Sequence, residues 1–250
     1  MPAYPAAAPG AYLLETQLFR GYWLVEWFRR ELGAPEVLAA QAAASGDRAA
    51  GAGADRPGAG PASAEALLDQ LLETVPPGSD GLLHLPTWSP GIRTPGPEAR
   101  GAWVGLTDAH GRAHLYRAML EGLAFALRAG LERTERRARI RTRTLRLSGG
   151  GARSASVARL TADVFGLPVE LPHTHETASL GAAIDAAVGI GLHPDVTTAA
   201  AAMTRARARH EPDPAVHAHY DRLFRRAYLP LEPALRPTLR TIRELRREAG

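Results

Sequence analysis

The chain contains no cysteine and no lysine, and the first absence narrows its chemistry. Without cysteine it can form no disulfide, no zinc-thiolate site and no thiol nucleophile, which fits a reducing compartment. The sequence also lacks any uninterrupted apolar run of about 18 residues, and its first residues, MPAYPAAAPG, show no basic segment followed by an apolar one. We therefore predict a cytoplasmic protein without a targeting signal and without a membrane partner.

Because lysine is absent, all 30 basic residues are arginine, and the net charge is +4. The arginines alternate with acidic residues along predicted helices, as in ERTERRARIRTR at 132–143. They form no dense basic block with interleaved aromatic residues, so we predict no nucleic-acid partner. The 45% of hydrophobic residues is enough to build a globular core over 250 residues.

The first third of the chain combines predicted helices with one stretch of low complexity. Apolar positions predict a helix from about Tyr22 that ends at Gly33. Residues 39–62 are rich in alanine and glycine and have almost no large apolar side chain, so we predict a flexible loop there. Ser63 is then expected to cap a short helix that ends before PPGS.

Strands and helices alternate in the second part of the sequence. LLHLP and AWVGLT are predicted strands, and a long half-buried helix follows over 112–138. The next segments predict strand TLRLS, helix SASVARLTADVFG, strand LPVEL and helix TASLGAAIDAAVGIG, which together indicate parallel βαβ units. Helical stretches are also predicted at 198–209 and 217–228, before a basic C-terminal helix.

Three consecutive glycines, Gly149, Gly150 and Gly151, stand between a predicted strand and a predicted helix. Open α/β sheets bind ligands at this place, and glycine lets the backbone approach a ligand closely. One interpretation is a tight turn with no ligand. Another is a dinucleotide fingerprint that uses Glu170 for a ribose hydroxyl, although its third small position holds Ser154. The third is the adenosine loop of an ATPase.

Longer segments around the glycines distinguish between these interpretations. The segments are LLHLPTWSPGIRTPGPEARGAWVGLTDAHGRAHLYRAMLEGLAFALR at 82–128 and SGGGARSASVARLTADVFGLPVELPHTHETASLGAAIDAAVGIG at 148–191. In order and spacing they resemble the C-terminal domain of the FGGY carbohydrate kinases, the family of xylulokinase, ribulokinase, gluconokinase and glycerol kinase. PGAYLLETQLFRGYWLVEWFRREL at 9–32 extends the resemblance.

The resemblance implies an α/β fold, namely the C-terminal half of a two-domain, actin-like ATPase built on a ribonuclease-H-like mixed sheet with helices on both faces. It further implies that ATP and Mg²⁺ are the cofactors and that this half holds the adenosine. On the matching positions, Gly149, Gly150 and Gly151 would pass close to the nucleotide, and Ser154 would offer a hydroxyl or an amide. Gly21 roughly matches a further nucleotide contact.

The segment ETASLGAA at 176–183 is similar to the helix that closes the adenosine pocket in that family. Gly181 within it would allow tight backbone packing. His173 and His175 form an HxH pair beside this segment, but two histidines on a loop are expected to be solvated. We therefore predict no metal ligand among them.

The family's two phosphate loops, its catalytic aspartate and most of its sugar contacts have no counterpart in this sequence. We therefore assign no catalytic residue and expect the chain alone to be inactive. The complete enzyme would phosphorylate a sugar or polyol, with a pentulose such as xylulose favoured. The carbohydrate would bind through a missing N-terminal half, so a complementing N-terminal chain or a homo-oligomer is an expected partner. A non-catalytic kinase remnant and a dinucleotide-binding domain are the alternatives.

The resemblance to the FGGY family also implies that the domain, taken as residues 1–250, lacks the first strand of its own sheet. A sheet without that strand should expose an unpaired edge or an apolar patch.

Overall fold

The computed structural model describes residues 3–6, 8–49, 63–91 and 95–249. The helices, in chain order, are α1 (Trp23–Leu32), α2 (Ala34–Ala49), α3 (Ala64–Leu71), α4 (Arg112–Ala138), α5 (Ala155–Phe165), α6 (Thr177–Gly189), α7 (Val196–Met203), α8 (Pro214–Leu223) and α9 (Leu229–Glu248). The strands are β1 (Tyr4–Pro5), β2 (Tyr12–Leu13), β3 (Leu83–Leu85), β4 (Ala102–Val104), β5 (Leu145–Arg146), β6 (Val169–Pro172) and β7 (Ala206–His210).

The chain divides into two compact units. The first, which we call the sheet unit, combines Met1–Leu18 with Ala124–Asp221. The second, the helical unit, combines Phe19–Leu123 with Arg222–Gly250. Helix α4 contributes its first part to the helical unit and the rest to the sheet unit.

Local capping explains why several predicted helix ends are correct. The Gly33 amide donates to the Arg29 carbonyl and ends α1. The Ser63 hydroxyl accepts from the Ala66 amide at 3.2 Å and begins α3. Side-chain oxygens at such positions satisfy amides that the first helical turn leaves without a partner.

The predicted loop over 39–62 is wrong for its first part, because residues 39–49 belong to helix α2. Alanine has the highest helix propensity, and this part holds a single glycine, Gly46, and no proline. Its low content of large apolar side chains therefore did not prevent a helix. Residues 50–62 lie outside the described residues.

The sheet unit holds a three-stranded sheet in the order β5, β6, β7. Strands β5 and β6 are parallel, with Leu145 opposite Val169, as the alternation of strands and helices predicts. Strand β7 runs antiparallel to β6, so the helix predicted over 198–209 is wrong beyond Met203. Alanine and arginine favour a helix locally, but pairing with β6 satisfies the backbone of this segment as a strand.

One face of this sheet packs against helix α5. The buried residues of this small core come from the glycine loop, α5 and β6, with neighbouring residues of β5 and β7 packed against them: Ala152, Ala158, Ala162, Val169 and Leu171, with Leu145, Leu147 and Ala208. Small alanines on α5 bring the helix close to the branched side chains of the strands. The loop that begins α5 is thereby held at the carboxyl end of β5.

The core of the helical unit forms around the first part of α4. Buried side chains from α1, α3, β3 and α4 meet there, among them Leu24, Phe28, Leu68, Leu85, Tyr116, Met119 and Leu120. The Phe28 and Tyr116 rings lie 5.0 Å apart. Strands β3 and β4 form an antiparallel pair beside them.

A histidine and three tryptophans pack at the β3–β4 pair. His84 is buried, and desolvation lowers its pKa to about 3, so the ring is neutral at pH 7. Its Nε2 accepts a hydrogen bond from Trp88 Nε1 at 2.9 Å. Trp27 and Trp103 complete the aromatic group, with their ring centroids 5.9 Å apart. These three tryptophans are half-buried and pack against one another.

Candidate functional site

The carboxyl ends of β5 and β6 form a crevice in the sheet unit, with the glycine loop and α5 following β5 and with α6 following β6. Helix α5 packs on the face that carries Leu145, Leu147 and Val169. Arg146 and Glu170 alternate with these residues and therefore point to the other face, where they line a cavity together with α6. Ligands of open α/β sheets bind at such points, where neighbouring connections leave to opposite faces.

The glycine loop leaves β5 with an open backbone. Gly149 has φ 73° and ψ −154°, a conformation that side chains strongly disfavour, and residues Gly150–Arg153 form a single 3₁₀ turn. A Cβ atom placed on Gly149 or Gly150 would meet no atom within 4 Å. The outer side of the loop is therefore accessible, and a ligand can approach its backbone closely.

Ser154 connects this loop to α5. Its hydroxyl accepts from the Val157 amide at 3.1 Å and so caps the helix. Gly151 and Ala152 are buried beneath the loop. The hydroxyl thus has a structural role in the described molecule, while the first amides of α5 give this end of the loop a partial positive charge.

A cavity of about 540 Å³ lies on the other side of the crevice, between the strand ends and α6. This volume is in the range of small-molecule sites. The strands and their extensions contribute Arg146, Leu147, Ser148, Glu170, Leu171, Pro172, His173, Thr204, Arg205 and Ala206, and α6 contributes Thr177, Leu180, Gly181 and Ile184. Ser148 directly precedes the glycine triplet, so the loop begins at the edge of the cavity.

Gly181 is one of the α6 residues that line this cavity. A Cβ atom at Gly181 would meet no other atom within 4 Å. The tight backbone packing that the family resemblance implies for Gly181 is therefore absent within the described molecule. Its lack of a side chain leaves free space on the cavity side of α6.

Charged side chains line the strand side of the cavity. The Glu170 carboxylate accepts from Arg146 Nε at 3.2 Å and from Arg209 at 2.9 Å. These two guanidinium groups lower the pKa of Glu170, in the order Arg146 and then Arg209. Because both carboxylate oxygens already accept from arginines, Glu170 is poorly placed for the ribose hydroxyl that a dinucleotide site requires.

The structure brings together four of the five residues predicted to bind nucleotide. Gly149, Gly150, Gly151 and Ser154 form one continuous loop in the sheet unit. Gly21 belongs to the helical unit, where its carbonyl accepts from the Leu24 amide at the start of α1. Nucleotide binding by all five remains a prediction.

Sequence patterns did not reveal the cavity residues Arg146 and Arg205. Arg146 ends β5 and Arg205 directly precedes β7, so the pairing of both strands with β6 brings them to one cavity. The signal that could have found Arg146 is its position at the end of a strand that runs parallel to its neighbour.

Acidic side chains on α4 and α5 have structural partners. Asp163 accepts from the Asp213 amide at 2.8 Å, and Glu121 accepts from the Ser79 hydroxyl at 3.0 Å. Over 3–6, 8–49, 63–91 and 95–249, no group of three or more His, Asp or Glu side chains could hold a metal ion. His173 instead joins the sheet, with its amide donating to the Arg205 carbonyl at 3.0 Å.

Within the part of the chain that the structure describes, no helix combines the length and the apolar composition needed to cross a membrane.

Comparisons with known proteins identify the family of this chain. The profile of the C-terminal domain of the FGGY family of carbohydrate kinases matches residues 1–190. The chain is 32% identical over 200 residues to an uncharacterised sugar kinase, YgcE, of Escherichia coli K12, covering 77% of this chain and 37% of that protein. It is 33% identical over 203 residues to a glycerol kinase of Dechloromonas aromatica, covering 80% and 34% of the two chains.

Solved structures lead to the same family. A xylulose kinase from Rhodospirillum rubrum superimposes with a TM-score of 0.60 at 34% identity, over 83% of this chain and 39% of that one. The chain therefore spans little more than a third of the length of the relatives it matches. The α/β, actin-like fold class implied by the sequence is confirmed. The chain belongs to the FGGY family of carbohydrate kinases and carries the C-terminal domain of that family.

Proposed function

We propose that this chain is the nucleotide-binding part of an FGGY kinase whose complete form transfers the γ-phosphoryl group of ATP to a hydroxyl of a sugar or polyol. The observation that carries this proposal is the open glycine loop at the carboxyl end of β5, next to a cavity between the strand ends and α6. The relatives include sugar, glycerol and xylulose kinases. A pentulose such as xylulose is our favoured acceptor.

The described residues fit the adenosine end of ATP. Gly149 and Gly150 leave the loop backbone accessible, and Gly181 leaves room for a flat base against Leu180 and Ile184. The amides at the start of α5 favour a polar or anionic group. When bound, ATP supplies the phosphoryl group, while the residues of this chain hold and orient the nucleotide. Such positioning is a large part of catalysis in phosphoryl transfer.

Magnesium does not fit the described residues, since they contain no cluster of three or more His, Asp or Glu side chains. We propose that Mg²⁺ binds with the nucleotide phosphates in the complete enzyme. Because the cation prefers carboxylate, water and phosphate oxygens, its protein ligands belong to the missing phosphate loops. No residue of this chain is assigned to it.

Substitutions at Gly150 and Gly181 test the nucleotide site. Both Gly150→Val and Gly181→Leu fill space that is open in this structure, so the protein should fold normally. Each is expected to weaken ATP binding at least about tenfold, because its side chain occupies space that the ligand needs. Isothermal titration calorimetry of the 250-residue chain measures this effect. Gly189→Leu is the matched control, since Gly189 also lies in α6 in open space but does not line the cavity.

The two variants also separate the two sides of the crevice. If only Gly150→Val weakens binding, the nucleotide lies on the loop and outside the cavity. If neither variant changes the affinity while wild type binds ATP, the proposed site is wrong. Absence of ATP binding by the wild-type chain would contradict the proposed function for the isolated domain.

The free edge of β5 supports a complementing polypeptide as partner. Within the described residues β5 pairs only with β6, while β1 and β2 form a separate hairpin in the same unit. The hairpin exposes large apolar side chains, with Tyr12 at 68% and Leu13 at 57%. We propose that a strand of the N-terminal half pairs with β5 and helps to bury this apolar surface. Unpaired strand edges and exposed apolar patches are typical sites of association with another polypeptide.

Activity measurements test the need for that partner. The purified chain alone is expected to show no ATP consumption above background with xylulose, gluconate or glycerol, because it contains neither a catalytic base nor the phosphate loops. Co-expression with a polypeptide encoded upstream that carries the N-terminal half should restore turnover. Turnover by the purified chain alone, at a rate typical of enzymes, would overturn the proposal. Failure of every upstream polypeptide to restore it would favour a non-catalytic kinase remnant.

A further inference from the structure

Two arginines on the cavity have guanidinium groups with hydrogen-bond donors to spare. We propose that Arg146 and Arg205 form a subsite that binds the phosphates of a nucleotide whose base and ribose occupy the cavity. This inference rests on the proposed function and adds to it a pair of side chains that neither the glycine motif nor the family resemblance points to. Arg205 lies beyond residue 190, where the family match ends.

Arg146 is held in place but has donors remaining. Its Nε donates to Glu170 at 3.2 Å, which fixes the guanidinium next to the strand ends. The side chain is nevertheless 81% exposed, whereas that of Glu170 is 21% exposed. Its two terminal nitrogens donate to no residue in 3–6, 8–49, 63–91 or 95–249. Glu170 therefore positions the cation without occupying all of its donors.

The backbone of Arg205 is fixed while its guanidinium group remains unpaired. The Arg205 carbonyl accepts from the His173 amide at 3.0 Å, and its own amide donates to His173 Nδ1 at 3.3 Å. These two bonds tie the start of β7 to the end of β6 at the cavity. The guanidinium forms no ion pair with the described part of the chain, and the residue is exposed.

The irregular pairing of β7 next to these residues is consistent with a binding role. Leu171 pairs with Ala208 and Pro172 with Ala206, so Arg207 is an extra residue in the strand. Such a bulge redirects side chains, and bulges are frequent near binding sites. Arg207 donates to the Ala152 carbonyl at 3.2 Å on the glycine-loop side, which leaves Arg205 at the cavity.

The charge balance favours an anion with several oxygens. The cavity is lined by two arginines and one carboxylate, and Arg209, which also contacts Glu170, is paired with Glu211 outside the lining. The site therefore has excess positive charge next to apolar contacts from Leu171, Leu180 and Ile184. Planar guanidinium groups bind phosphate oxygens with two donors each. A nucleoside diphosphate combines an apolar base with such oxygens.

Parallel titrations of ADP and adenosine test this assignment in the 250-residue chain. Arg146→Gln and Arg205→Gln are each expected to weaken ADP binding about tenfold and to leave adenosine binding unchanged, since only ADP carries phosphate. The salt dependence of ADP binding should also become weaker in both variants. Arg209→Gln is the matched control, because Arg209 pairs with the same Glu170 but does not line the cavity.

The possible results separate the phosphate subsite from the nucleotide site of the proposed function. Equal ADP affinity in wild type, Arg146→Gln and Arg205→Gln overturns the phosphate subsite but leaves the nucleotide site standing. Equal loss of ADP and adenosine binding also overturns it, since the arginines would then support the cavity without contacting phosphate. If wild type binds neither ligand, the proposed function of the isolated domain fails and the subsite fails with it.

Discussion

Gly122→Ala is expected to destabilise the helical unit by about 3 kcal/mol. A Cβ atom on Gly122 would lie 2.2 Å from the carbonyl oxygen of His84, which is backbone and cannot move aside like a flexible side chain. The Tyr228 hydroxyl, which donates to the Gly122 carbonyl at 3.2 Å, would shift as well. Urea unfolding followed by tryptophan fluorescence should show the loss, because His84 packs against Trp88 and Trp103.

The same substitution at Gly189 is the control. Gly189 is also helical, but its added Cβ meets no atom within 4 Å. Alanine has the higher helix propensity, so Gly189→Ala should be neutral or stabilising by up to about 1 kcal/mol. Equal urea midpoints for Gly122→Ala and Gly189→Ala would contradict the close approach of α4 to β3.

Glu121→Ala is expected to cost about 3–5 kcal/mol, because it leaves Arg117 as a buried charge without its carboxylate. Glu121 is 1% exposed and accepts from Arg117 Nε at 2.8 Å. It also accepts from the Gly78 amide and from the Ser79 hydroxyl. Ser79 and Asp80 have φ values of 50° and 51°, so the carboxylate holds a strained turn against α4. Circular dichroism during thermal unfolding measures the loss.

A double substitution separates the ion pair from the turn. If the buried charge dominates, Glu121→Ala combined with Arg117→Leu should be less destabilising than Glu121→Ala alone. Glu244→Ala serves as the control, since Glu244 is exposed on α9 and should change stability by less than about 0.5 kcal/mol. A double variant that unfolds as readily as the sum of its single changes would contradict this coupling.

Segments with strong local signals could be predicted from the sequence. Gly33 and Ser63 marked helix ends correctly, because capping uses atoms within four residues of one another. The parallel pairing of β5 and β6 followed from the length of the helical connection between them. The glycine loop was found for the same reason, since its position between a strand and a helix is visible in the chain itself.

Segments whose structure depends on distant partners could not be predicted in this way. Strand β7 contains alanines and arginines that favour a helix, and only its hydrogen bonds to β6 make it a strand. Helix α2 was missed because a scarcity of large apolar residues predicts a loop, whereas alanine alone sustains a helix. Charge patterns did not indicate that Arg146 and Arg205 share one cavity, since they are 59 positions apart in the sequence.

The sequence by itself determined the family, several helix ends and the loop that we propose to hold one end of ATP. These features depend on local chemistry: capping hydroxyls, glycines that adopt a positive φ, and the spacing of strands and helices. Only the tertiary structure decided that Gly181 lines a cavity with free space beside it, and that Glu170 is held between two arginines. The physical reason is that burial, ion pairing and free space depend on which distant segments become neighbours.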